Sequence, residues 1–205
     1  MAESSVSSLR HEFPALALAL TFIPYRHRPI YSDLFLLWLE GRRATYANEA
    51  MIAAVRLAWW RDAITNQASQ SVPLADRLLA LKTSHPDILL AITDTLNQMI
   101  SLLSGGAPKA KALAIWHQMV ANQLISYTDK ANGERQDHQK EALMLHVLDQ
   151  TLLGKADTDH QAYSGKHMLF RLISWLTQDP PRLYYPDQRP MLALKMTMAV
   201  LFRNI

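Results

Sequence analysis

The side chains with the most chemical reach lie in the first third of the chain. There Arg26, Arg28, Arg42, Arg43, Arg56 and Arg61 outnumber Asp33, Glu40, Glu49 and Asp62. Fixed guanidinium charges at that density suit an anionic ligand, such as a diphosphate or a lipid headgroup. They equally suit a basic face that meets only water. What the arginines lack is a matching set of carboxylates. Acids at i and i+4 share one helix face, and two such pairs on facing helices can hold several Mg²⁺ ions, which take oxygen ligands. The sequence contains no D-x-x-x-D. The nearest substitute, Asp137-x-x-x-Glu141, follows the charged stretch TDKANGERQD (128–137). It reads as a helix-start acid pair favoured by the macrodipole. Asp157 and Asp159, close to Gly154, read as loop and cap.

Other chemistries leave fainter marks. The eight histidines form no His-x-x-x-His or His-Glu-x-x-His. His138 and His146 share a face two turns apart, but no acid of suitable spacing lies between them, so no metal site is expected. Cysteine is absent, which excludes thiolate ligands and a disulfide framework. No Gly-x-Ser-x-Gly elbow, Walker loop or dinucleotide glycine loop is present, although a Ser–His–Asp arrangement stays open. Met191, Met196 and Met198 read as core filler or a partner surface.

These residues need elements to hold them. With 205 residues, 49% of them apolar, the chain is expected to form one domain with a substantial core. Residues 1–12 are polar and expected to be flexible. The net charge of +3 comes from scattered lysines and arginines, so no nucleic-acid partner is expected. No secretory signal or membrane-length apolar run is visible. The expected setting is cytoplasmic, extending to the periphery of a membrane.

Strand signals are nearly absent, and 3.6-residue periodicity dominates. It predicts helices over about 29–43 (Ile30, Leu34, Leu37, Trp38), 47–67, and 73–83 (Leu74, Leu78, Leu81). Another runs from Pro86 to about 103 (Ile88, Ile92, Leu96, Met99, Leu103), ended by Gly105-Gly106. Pro108 opens the next, through Leu113, Trp116, Val120 and Leu124. Further helices are predicted over 138–153, 160–177 and 190–204. Short loops between amphipathic helices predict an antiparallel all-α assembly.

One stretch stands out: RLAWWRDAI, residues 56–64. Adjacent helical positions point about 100° apart. Trp59 therefore aligns with Ile52, Arg56 and Ala63, and Trp60 with Ala53, Leu57 and Ile64. Two apolar stripes side by side predict a central helix packed over much of its circumference. A buried Arg56 would have to stack on a ring or reach an acid, with Glu49 and Asp62 nearest in sequence.

RLAWWRDAI resembles the R-L-x-W-W-R-(D/E)-A-(I/L) helix of the squalene/phytoene synthase family, above all its branch related to a mitochondrial complex I assembly factor. Upstream, Arg28 and IYSDLFLLWLE are similar to an early family helix, with Glu40 near a common acidic position. Glu49 precedes Arg56 by seven residues, as a Glu-Pro often does there, but Ala50 replaces the proline. Downstream, LFRLISWLTQDPPRLYYP resembles the family's L-L-R-…-G-R-x-Y-L-P. Arg171, Arg182, Tyr184 and Pro186 match, and Pro181 replaces the glycine. Residues 70–160 are similar only as helices.

The resemblance implies a single all-α domain over residues 1–205 of the isoprenoid-synthase type, shortened at the C-terminus. It implies ligand-binding roles for Arg28, Glu40, Arg56, Trp59, Trp60, Arg171, Arg182 and Tyr184. The family's enzymes join two prenyl diphosphates using two D-x-x-x-D motifs and Mg²⁺. Here the corresponding stretches read LLWLEGRRATYAN (36–48) and RLISWLTQ (171–178), with Glu40 as the one acid. The expectation is a non-catalytic member without cofactor, acting by binding a protein partner, a second copy, or an isoprenoid-like or lipid ligand, with an assembly factor as one form of that role. The alternative is an active prenyl-diphosphate transferase using Mg²⁺ and displaced acids such as Glu40, Glu49 or Asp33.

Overall fold

A computed structural model describes residues 5–66, 72–128, 139–154 and 167–178. Among them every regular element is helical: α1 (Ser5–Glu12), α2 (Pro14–Ala19), α3 (Arg28–Thr45), α4 (Ala50–Thr65), α5 (Pro73–Ser84), α6 (Pro86–Ser104), α7 (Lys109–Thr128), α8 (Gln139–Leu152) and α9 (Met168–Thr177). Two 3₁₀ turns, Leu20–Phe22 and Tyr25–His27, connect α2 to α3. The helix expected at 190–204 lies outside the described residues. The chain divides into two compact units, Met1–Glu3 with Asp33–Gln136, and Ser4–Ser32 with Asp137–Ile205.

In the first unit α6 packs against α4, α5 and α7. Its buried residues Ile88, Ile92, Leu96, Met99 and Leu103 are the ones its spacing foretells. Pro86 occupies its first turn. Its end is a Schellman turn: the Ala107 N–H donates to Leu102 O at 2.9 Å and the Gly106 N–H to Leu103 O at 3.1 Å. Gly106 sits there at φ 75°, a conformation that costs glycine nothing.

The most deeply buried helix is α3, not α4. All residues from Tyr31 to Leu39 are buried, and Trp38 and Phe35 are fully inaccessible. Its partners are specific. Trp116 of α7 donates its indole N–H to Trp38 O at 3.1 Å. The Trp116 ring lies over Gly41, where an added Cβ would sit 2.5 Å from the ring. The His117 ring lies 6.1 Å from that of Trp38. On the α5 side, Arg77 Nε donates to the buried Asp33 carboxylate at 2.8 Å. Lys109, at the start of α7, reaches the end of α3. Its ammonium donates to Ala47 O and, at 3.2 Å, to Asn48 O, where a cation also favours the helix dipole.

In the second unit α8 packs on α9, and α2 on α1 and α9. The α9 helix buries Leu169, Phe170, Leu172, Ile173 and Leu176. Of the segment expected to be flexible, residues 5–12 are described. Ser5–Glu12 is helical, and Leu9 is fully buried. A single apolar anchor on one turn, followed by Phe13 at 5% exposure, ties down a stretch whose composition is polar.

Candidate functional site

The double tryptophan divides its two rings between core and solvent. Trp60 faces inward with Ala53, Leu57 and Ile64, all buried, as the spacing foretells. Trp59 faces outward, its ring edge-on to Trp60 at 5.1 Å. Of the residues expected to align with it, Ala63 is buried and Ile52 is not, and an apolar strip is left bare: Met51 is 61% exposed, Ile52 43%, Val55 62% and Trp59 37%. The enclosure expected for α4 is therefore wrong on that side. A helix apolar over most of its circumference belongs inside a protein, yet here α5 and α6 cover one half only.

The arginines on either side of the pair separate as well. Arg61 chelates Asp62 Oδ1 through Nε and Nη2 at 2.8 and 2.7 Å, and its Nη1 lies 3.3 Å from Asn97 Oδ1 on α6. Arg56 is exposed, and among the described residues its guanidinium has no hydrogen bond or ion pair. The expected pairing with Glu49 or Asp62 does not form. Its premise was burial, and a solvated guanidinium carries no need for a partner. Glu49 stands at the N-cap of α4 without a side-chain cap bond.

The other described site residues belong to other elements, Arg28 and Glu40 to α3 and Arg171 to α9. Glu40 is joined to Arg43 of its own helix at 2.6 Å, and no described bond links it to Arg56, Trp59 or Trp60. Arg28 belongs to the second unit. Its Nε and Nη2 donate to Ile23 O and Thr21 O at 2.9 and 2.8 Å, and its guanidinium lies over the Tyr25 ring at 5.6 Å. These bonds fasten the 3₁₀ turns to the start of α3. Arg171 sits part-buried on α9, while Arg182 and Tyr184 lie outside the described residues. Glu141 is buried in the first turn of α8, with His167 Nε2 4.0 Å away; Asp137 is not among the described residues.

Beside Arg28, Arg26 Nε donates to His27 Nε2 at 3.0 Å, which requires the neutral ring. Loss of water around the ring, followed by the Arg26 cation, holds His27 below the usual 6.5. The folded chain therefore binds fewer protons there than the unfolded chain. The stabilisation is complete above 6.5 and is lost as pH falls through the depressed midpoint. In an NMR titration we expect the His27 midpoint below 6.5, moving upward in Arg26→Ala.

Among the described residues no three His, Asp or Glu side chains form a group able to hold a metal ion, and no helix is long and apolar enough to cross a membrane. A shallow groove between α6 and α7, lined by Ala91, Asp94, Thr95, Ile115, Gln118 and Asn122, is open to solvent. Its polar rim is partly self-satisfied, since Gln118 Nε2 donates to Asn122 Oδ1 at 2.9 Å. Comparison of the chain with family models, with curated proteins and with solved structures gave no match.

Three residues escaped the sequence reading. Gly41 interrupts an otherwise apolar helix, and its only signal was a glycine inside a helical pattern. Met51 and Val55 drew no reading of their own, because periodicity marks an apolar face without marking what covers it.

Proposed function

We propose that the chain is a squalene/phytoene-synthase-like helical protein that works by binding another protein, not by transferring a prenyl group. The uncovered stripe of Met51, Ile52, Val55 and Trp59 carries this reading. Contiguous apolar surface of that kind on an otherwise packed helix is typical of interaction sites. Partner recognition by a helix face needs three or four such anchors along one side, which α4 supplies.

Two of the three acids that a displaced metal site would recruit support the same reading, while Glu49 stands exposed at the N-cap of α4. Glu40 is held by Arg43 and Asp33 by Arg77. A carboxylate already neutralised by a guanidinium is a poor Mg²⁺ ligand, because the cation must first displace the arginine. Arginines alone would hold a diphosphate equally in ground and transition states, which does not accelerate its departure.

The test is turnover. Incubated with farnesyl or geranylgeranyl diphosphate and Mg²⁺, the full chain should release no diphosphate above the rate without protein. Sustained release, lost in Glu40→Gln, would replace this proposal with a prenyltransferase.

A further inference from the structure

The edge of the α4 stripe carries two opposite charges in a particular register. Glu49 and Arg56 are seven residues apart and both exposed. Seven residues advance a helix by about 700°, so both lie on one edge, about 10.5 Å apart along the axis. That exceeds the i,i+3 or i,i+4 reach at which they could pair with each other. Among the described residues neither is engaged elsewhere: Glu49 caps nothing, and Arg56 has no partner.

We infer that the occupant of this face is a second copy of the chain, its α4 antiparallel to the first about a two-fold axis opposite Ile52 and Ala53. This rests on the reading of α4 as a protein-binding surface. A two-fold axis across two antiparallel helices keeps the same edge of each on the same side. Glu49 of one copy then meets Arg56 of the other, and the reciprocal pair forms at the opposite end. In that register Ile52 lies against Ile52 of the second copy. Met51 comes level with Val55 of the second copy to within one residue of rise. The two Trp59 rings close the ends of the apolar seam. One contact surface thus satisfies both free charges and covers the whole stripe.

The charge balance of the rim argues for this occupant over a membrane. Glu49 offsets Arg56, and Arg61 is paired with Asp62. No cationic excess remains to draw anionic headgroups, as an interfacial helix requires. The seam is small. Four side chains from each copy fall well short of the roughly 800 Å² per partner of a standard interface, so the association is reversible, with a dissociation constant on the order of 10 µM.

Sedimentation equilibrium of the full chain from about 1 to 200 µM, a range bracketing that constant, should show monomer and dimer. Glu49→Arg and Arg56→Glu should each weaken the dimer at least about tenfold by setting like charges opposite each other. The double variant Glu49→Arg/Arg56→Glu should return it to within about threefold of the original, because both pairs re-form with reversed polarity. Circular dichroism of each variant checks that the helices persist. Both charges face solvent in the monomer, so their exchange spares the core. A chain that stays monomeric throughout, or a double variant no better than the singles, overturns the inference. Cosedimentation with anionic phosphatidylserine vesicles in place of self-association overturns it too. None of these results bears on diphosphate release, so the self-pairing can fail while the protein-binding proposal stands, and release can refute the proposal whatever the oligomeric state.

Discussion

Trp116→Ala should cost the first unit about 4 kcal/mol, the middle of the range for truncating a fully buried large aromatic. Trp116 is completely inaccessible, and its indole N–H is bonded to Trp38 O. Truncation empties the space over Gly41 and loosens α7 from α3 together. Such a loss is a large fraction of the 5–15 kcal/mol that keeps an ordinary domain folded. The urea midpoint should fall sharply with little change of slope.

Gly41 gives this prediction a partner. Gly41→Ala gains about 1 kcal/mol of helix propensity, but its Cβ would enter the ring of an indole that is buried and hydrogen-bonded, so the ring cannot turn aside. The net loss should be about 2 kcal/mol. In the Trp116→Ala background the same change should become neutral or stabilising. Additive losses would mean that the two positions do not share a contact.

The second large effect belongs to Asp33. Asp33→Ala leaves the Arg77 guanidinium beside a buried gap, where removing one partner of a buried pair costs about 3–5 kcal/mol. The Arg77 side chain is 23% exposed against 7% for Asp33, so water recovers part of this, and a loss of about 2–3 kcal/mol is expected. Removing both charges in Asp33→Ala/Arg77→Leu should recover at least half of that loss in the urea midpoint. A double variant as unstable as the sum of its singles would show that the pair is no coupled unit.

The helices were legible because their limits are written in local chemistry. Pro86 and the Gly105-Gly106 pair set the ends of α6, and Leu74, Leu78 and Leu81 mark the buried side of α5 without outside information. The direction of Trp60 followed from spacing alone. The fate of Trp59 did not, because an apolar residue one position along fits a covered face and a bare one equally well. The same gap explains the misplaced centre of the first unit. The run from Leu34 to Leu39 is as apolar as α4, and sequence cannot rank two apolar helices by how many neighbours they find. Arg28 illustrates a third limit. Its two carbonyl partners come from a 3₁₀ turn that no periodic pattern announces. For Arg182 and Tyr184 only the resemblance speaks.

The Lys109 clasp has a consequence for how the α4 surface is carried. Ala47 and Asn48, just before α4, share one ammonium group with Lys109, just after the turn that ends α6. The chain therefore departs and returns at nearly the same point, and everything from α4 to α6 is a closed excursion from it. Two ends that are already adjacent leave little loop entropy to be lost when a very short bridge joins them.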